Sequence, residues 1–279
     1  MQGLSQADAY SVLKLPVAVM VAGILFSAPA GAQRDAGSDA FVQSITTPQI
    51  ESTISIAPEI AVEPGLGPQI ISGSVGTVGQ LTIMAGEDAE SVPEFFRPYQ
   101  VDERWEVTHT STTYLSALGT QWLFTGGAHG NTEFSAVIWQ RDKEGRGMDV
   151  PVTSFFVDGM NAEAPVWATL SGHLLAAWEA EWAKRMGQPL GEDDQSWRDG
   201  AVKTLRYRPD GYMVVTLLPS NLAEKSAGLT FHYAPYALGP YAMGTFSFDV
   251  PHVVFADYLT DDAKAIFGGE IEVVAAPSD

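Results

Sequence analysis

The chain has 279 residues, 46% of them hydrophobic and 18% charged, which is enough for a sizeable core and too apolar for a disordered polymer. Its formal charge is -19, from 34 acids against 15 bases; a nucleic-acid face needs clustered Lys and Arg, so the charge argues against that partner class, and it permits a cationic partner through steering, although on charge alone acidity that keeps a secreted protein soluble is the preferred reading. With no cysteine, neither a disulfide nor a thiolate zinc site can form.

Residues 1–32 read as a secretory signal: Lys14 precedes an apolar run from Leu15 to Phe26, and Ala30-Gly31-Ala32 is a small-residue cleavage pattern. The competing reading is an uncleaved anchor, but the run is short for a bilayer, which asks for about 20 apolar residues. No cysteine follows to carry a lipid. Residues 33–48 are small and polar and predict a tether. A β-rich lobe is expected over 49–140. Ile54 and Ile56 alternate with polar residues, as do Ile60 and Val62, which predicts short strands, with Pro58 at a sheet edge. Gln69–Met84 reads as two further apolar runs broken by Gly73, Gly76 and Gly79, and a short helix is expected around Glu87–Phe96.

Val101–Trp139 carries the clearest strand pattern, with Val101, Trp105, Val107 and His109 on one face and a turn at Gly126–Asn131. Arg141–Gly147 predicts a charged hairpin turn. Strands joined by short turns imply an antiparallel sheet. The second lobe, 141–279, opens with a change to helical period: Trp167, Leu170, Leu174, Trp178 and Trp182 recur at three- and four-residue steps between Pro165 and Gly187. Such a stripe predicts packing on a sheet. Glu192–Ser196 reads as a solvated acidic loop, and Tyr212–Leu218 as a strand announced by Pro209-Asp210-Gly211. Leu229–Tyr233 and Phe246–Val250 alternate as strands around a loop with two Pro-Tyr pairs, Pro235-Tyr236 and Pro240-Tyr241, and with Gly239 and Gly244. Proline fixes φ and glycine supplies positive φ, so this loop is expected to be shaped. Pro251–Tyr258 and Thr260–Phe267 predict short terminal helices, with Thr260 or Asp261 capping the second. The fold class is therefore α+β: an antiparallel sheet in two lobes, a long packed helix and short C-terminal helices.

Catalytic signatures are missing from the sequence. The five histidines, His109, His129, His173, His232 and His252, show no metal-ligand spacing, and neither a nucleophile elbow nor a P-loop occurs. His173, on the apolar helix, is expected as a packed core or boundary residue and His232 on a sheet face. The Thr125–Asn131 segment, TGGAHGN, suits a β-turn better than a phosphate cradle. No catalytic residue, metal or cofactor is assigned. Tyr236 and Tyr241 suit a contact surface for sugars or proteins, because tyrosine gives contact area at small entropic cost; the alternative is a loop folded onto the core.

TGGAHGNTEFS at Thr125–Ser135 and LTFHYAPYALGPYAMG at Leu229–Gly244 together resemble the two hallmark motifs of the RsiV/PdaC-type extracytoplasmic domain family. The resemblance covers roughly Val101 to Phe267, with a PdaC-type region before it from Ile54. It implies an α+β fold and, because the RsiV-type domain binds lysozyme, a lysozyme-like protein as partner. Deacetylase activity is not implied, since the Asp and His metal motif of that catalytic module is missing. Gly130 and Leu238-Gly239 depart from the family pattern. The expected function is an exported, non-catalytic binding domain of the periplasm or cell envelope, recognising a lysozyme-like protein or peptidoglycan. His129, Asn131, Pro235, Tyr236, Pro240 and Tyr241 are the expected contact residues. The alternatives are an envelope hydrolase with an unrecognised site, marked by convergent carboxylates, and a structural envelope protein.

Overall fold

A computed structural model describes residues 41–144, 146–207 and 213–272. The expected signal at 1–32 and the Pro209-Asp210-Gly211 turn lie outside these residues. Among the described residues no helix is long and apolar enough to cross a membrane.

The first sheet has six strands in chain order: β1 (Phe41–Thr46), β2 (Ile50–Ile56), β3 (Tyr99–Thr110), β4 (Tyr114–Phe124), β5 (Asn131–Arg141) and β6 (Gly147–Asp149). Strand β1 lies inside the segment expected as a tether, and it pairs antiparallel with β2 along its whole length. The expected all-antiparallel sheet is corrected at one place: β2 and β3 run parallel. A parallel pair needs a crossover too long for a turn, and α1 (Pro58–Ala61) with α2 (Leu66–Ser91) supplies it.

These two helices replace the short strands and apolar runs expected there. Pro58 is a first-turn proline rather than a strand-edge residue. In α2, Leu66, Ile70, Ser74, Val78, Leu81 and Ala85 are buried at steps of three and four, the helical period. Gly73, Gly76 and Gly79 face open space on the other side, so the punctuation that reads as strand breaks is a solvent-facing stripe. Helix α2 covers one face of the sheet, with Ile50, Ile54, Ile56, Leu115, Ala117 and Trp139 in the core beneath it. Inside that core the buried Glu103 carboxylate accepts from Ser74 Oγ of α2 at 2.6 Å, Trp105 Nε1 at 2.8 Å and Gln121 Nε2 at 3.2 Å. Glu63 and Arg141 form a 2.7 Å ion pair that ties the α1–α2 corner to β5.

The opposite face carries a second core. Helix α3 (Pro165–Met186) has the expected boundaries, with Gly187 left-handed at its end (φ 72°). Its stripe of Trp167, Leu170, Leu174, Trp178 and Trp182 is buried against a three-stranded antiparallel sheet, β7 (Val214–Leu218), β8 (Gly228–Tyr233) and β9 (Phe246–Pro251). The expected acidic loop at Glu192–Ser196 is instead a 3-10 turn running into α4 (Gln195–Thr204), which packs Ala201 into this core. The chain closes with 3-10 turns at His252–Val254 and Ala256–Tyr258, then α5 (Asp261–Lys264), where Thr260 Oγ1 accepts from Ala263 N as the expected cap.

The inner side of the small sheet meets the large one through polar groups. Leu217 N donates to Ser116 Oγ at 3.0 Å. His232, 8% exposed, stands between Thr216 Oγ1 at 2.9 Å and Ser247 Oγ at 3.0 Å, with Phe134 of β5 5.7 Å away. Burial pushes the His232 imidazole down to about 4, so it is neutral at ordinary pH.

Candidate functional site

The β8–β9 loop is held from below by α3. Trp178 Nε1 donates to the Leu238 carbonyl at 2.9 Å, and Leu238 itself is buried. Arg185, in the last turn of α3, donates to the Met243 and Thr245 carbonyls and lies 4.0 Å over the Phe246 ring. These anchors make the loop shaped, as its prolines led one to expect, but neither Trp178 nor Arg185 is legible as an anchor in the sequence.

Above the anchors the two Pro-Tyr pairs part in role. Pro235 is buried and Pro240 half-buried, and the latter opens a 3-10 turn over Tyr241–Met243. Tyr236 is 57% exposed and has φ 70°, a left-handed conformation that a side chain normally avoids. His129, from the β4–β5 loop, comes to meet both tyrosines. Its ring stacks on Tyr241 with centroids 3.8 Å apart and planes at 23°, and Tyr236 lies 5.4 Å from Tyr241. The Gly130 carbonyl accepts from Tyr241 Oη at 2.7 Å and stands 2.8 Å from His129 Nδ1. A neutral His129 then carries its proton on Nδ1, leaving Nε2 to accept from Tyr236 Oη at 3.2 Å.

The structure therefore brings His129, Tyr236 and Tyr241 together from loops more than 100 residues apart in sequence. Pro235 and Pro240 shape the loop without entering the ring cluster. Asn131 begins β5 beside it, yet its Oδ1 is buried with no hydrogen-bond partner. Two residues not anticipated from the sequence adjoin the cluster. Trp122 of β4 lies against Gly130 so closely that a Cβ there would collide with the indole, and Phe124 stacks on Trp122 at 6.4 Å and 12°. The readable signal was the Trp-x-Phe spacing, which puts both rings on one face of the strand.

This is an aromatic surface with carbonyl and imidazole acceptors, able to stack on a flat or apolar partner group and to exchange hydrogen bonds at its rim. No carboxylate hydrogen-bonds to His129, Tyr236 or Tyr241 among the described residues. Among the described residues, Asp149 is the carboxylate that burial pushes up. It lies away from the ring cluster, in an apolar pocket of about 330 Å³ with Ile138, Val150 and Val215.

No curated protein matches the chain. Among solved structures, a DUF3298 family member from Bacteroides fragilis is 16% identical, with 81% of this chain and 94% of that one covered and a TM-score of 0.48. A DUF3298 family protein from Pseudomonas aeruginosa is 14% identical, covering 83% and 96%, with a TM-score of 0.49. The resemblance read in the sequence narrows to a family match that begins after the expected PdaC-type region. Residues 153–252, which carry α3, β7–β9 and the Pro-Tyr loop, match the family model described as "Protein of unknown function (DUF3298)".

Proposed function

We propose that the chain is an exported, non-catalytic binding domain of the cell envelope, and that the His129–Tyr236–Tyr241 surface takes a basic, lysozyme-like protein. The observation that carries this reading is Tyr236. A half-exposed aromatic residue held at φ 70° contributes little to the core, and such conformations, costing of order 1–3 kcal/mol, persist where the surrounding structure enforces them, often at ligand-contacting positions. The acidic chain complements a cationic partner, and steering makes association fall with salt. The hydrolase reading asks for converging carboxylates, and the raised Asp149 has no second carboxylate beside it in its pocket lining.

The test is calorimetric titration of the full chain with a basic C-type lysozyme at low and moderate salt, beside the Tyr236→Ala/Tyr241→Ala variant checked for folding. Binding that weakens with salt and disappears in the folded variant supports the reading. Absence of heat at both salts removes lysozyme as the partner. The ring platform favours peptidoglycan as the second reading, and sedimentation with purified sacculi tests it with the same variant.

A further inference from the structure

The face of the large sheet opposite α2 is covered by the small sheet only in part. Strand register sets what remains open near the aromatic cluster. Glu51 of β2, Gln100 of β3 and Phe124 of β4 form one cross-strand row, and Thr53, Asp102 and Trp122 form the next. Paired residues point to the same side, and neighbouring strands lie about 4.8 Å apart, so each row places an aromatic ring beside polar groups within two strand spacings. Glu51, Gln100 and Asp102 are exposed, and Trp122 and Phe124 are half-buried. Neither Glu51 nor Asp102 pairs with a cation among the described residues; Arg104, in the following row, sits 3.7 Å from Glu106.

We propose that this face is a glycan-binding site that takes an amino-sugar chain with free ammonium groups. Protein-interface cores are depleted in charge, whereas here Asp102 is the cross-strand neighbour of Trp122 and Glu51 stands two strands from Phe124 in its row, which disfavours a protein occupant. A pyranose has the matching two-sided chemistry. Its C–H face is apolar and slightly positive, suited to the negative faces of the near-parallel Trp122 and Phe124 rings. Its edge carries donors for Glu51, Asp102 and Gln100. An ammonium group complements the two unpaired carboxylates in a chain of charge -19. The site is separate from the Tyr236 surface in the residues it uses, so it does not depend on the lysozyme reading.

The test uses the full chain and three hexasaccharide probes, of glucosamine, N-acetylglucosamine and glucose, followed by the indole N–H resonances of the seven tryptophans. The Trp122 resonance, assigned from Trp122→Phe, is expected to shift with the glucosamine hexamer and to do so at lower concentration than with either neutral hexamer. Asp102→Asn, at an exposed position that leaves folding intact, weakens the glucosamine affinity about threefold. Trp122→Ala weakens it about tenfold. The proposal is overturned by a Trp122 signal indifferent to all three probes, by equal binding of the glucose hexamer, or by an affinity unchanged in Asp102→Asn. Loss in Tyr236→Ala/Tyr241→Ala with no loss in Asp102→Asn assigns the binding to the other surface and also overturns it.

Discussion

Helices α2 and α3 do the same mechanical job on opposite sides of the molecule, each covering a sheet with one apolar stripe, yet they are written in different alphabets. Helix α3 uses large residues, three of them tryptophans, and ends on basic residues and a left-handed glycine. Helix α2 carries no charged residue from Leu66 to Gly86 and has five glycines in that span. The period of burial is the same in both. What differs is contrast in size: α3 sets buried Trp and Leu against exposed Ala168, Gly172, Ala176 and Ala180, with its charged residues gathered from Glu179 onward, while in α2 medium-sized buried residues face Gly, Ser, Thr and scattered apolar residues that blur the stripe. A helix is recognised by contrast between its faces as much as by its buried stripe.

The comparison breaks most readily at α3. Trp178 is fully buried, and its indole also fixes Leu238 of the Pro-Tyr loop. Trp178→Ala is expected to cost about 3–5 kcal/mol, from lost packing and a cavity. Urea unfolding checks the loss. If α3 anchors the loop, the variant also loses the stacking of His129 on Tyr241, visible in the His129 ring signals. A cost comparable to that of Leu81→Ala in α2 would mean that the aromatic stripe adds nothing beyond its area.

The polar seam between the two sheets gives the next largest effect. Burial holds His232 at about 4, below the ordinary 6.5, so the unfolded chain binds the extra proton between those values. The stabilisation is therefore complete above about pH 6.5 and is lost as pH falls towards 4, by roughly 3 kcal/mol. His109 is lowered by the same cause and adds in the same direction. Chemical denaturation at a series of pH values, compared between the protein and His232→Gln, should show a shallower acid decline in the variant. Parallel curves would place the decline in the carboxylates instead.

The comparison sharpens on the exposed face of α2. A Cβ at Gly73, Gly76 or Gly79 meets nothing within 4 Å, so Gly73→Ala/Gly76→Ala/Gly79→Ala removes only backbone freedom and is expected to stabilise by about 2 kcal/mol. Gly67→Ala should do the reverse, because its Cβ would run into the Ile60 and Ala61 carbonyl oxygens. Thermal unfolding separates the two. If the triple variant is not more stable, the glycines serve an occupant of that face.

These helices also show why parts of the structure were legible and others not. Helix α3, the β3–β6 hairpins and the Thr260 cap follow from local periodicity and turn chemistry, which a sequence displays directly. The parallel β2–β3 pair was hidden because its evidence is the crossover, and the crossover was mistaken for strands at Gly73, Gly76 and Gly79. In the candidate site, His129, Tyr236 and Tyr241 stood out as polar aromatics in proline- and glycine-rich loops. Trp122 did not, since on its own strand it reads as one more alternating apolar residue. Only the register that brings Gly130 beneath its ring distinguishes it.

The smallest effect tests whether the α3 side truly imposes the loop's shape. Tyr236→Gly and Tyr236→Ala remove the same ring contacts with His129 and Tyr241, so their difference reports the backbone alone. Glycine tolerates φ 70° and alanine does not, which predicts that the glycine variant is more stable by about 1 kcal/mol. Equal stabilities would mean that the loop relaxes once the ring is gone, and that the tyrosine itself holds the conformation. A clear advantage for glycine means that Trp178 and Arg185 hold it from below. In that case the half-exposed Tyr236 ring is presented by the scaffold before any partner arrives, and binding need not supply the energy of ordering it.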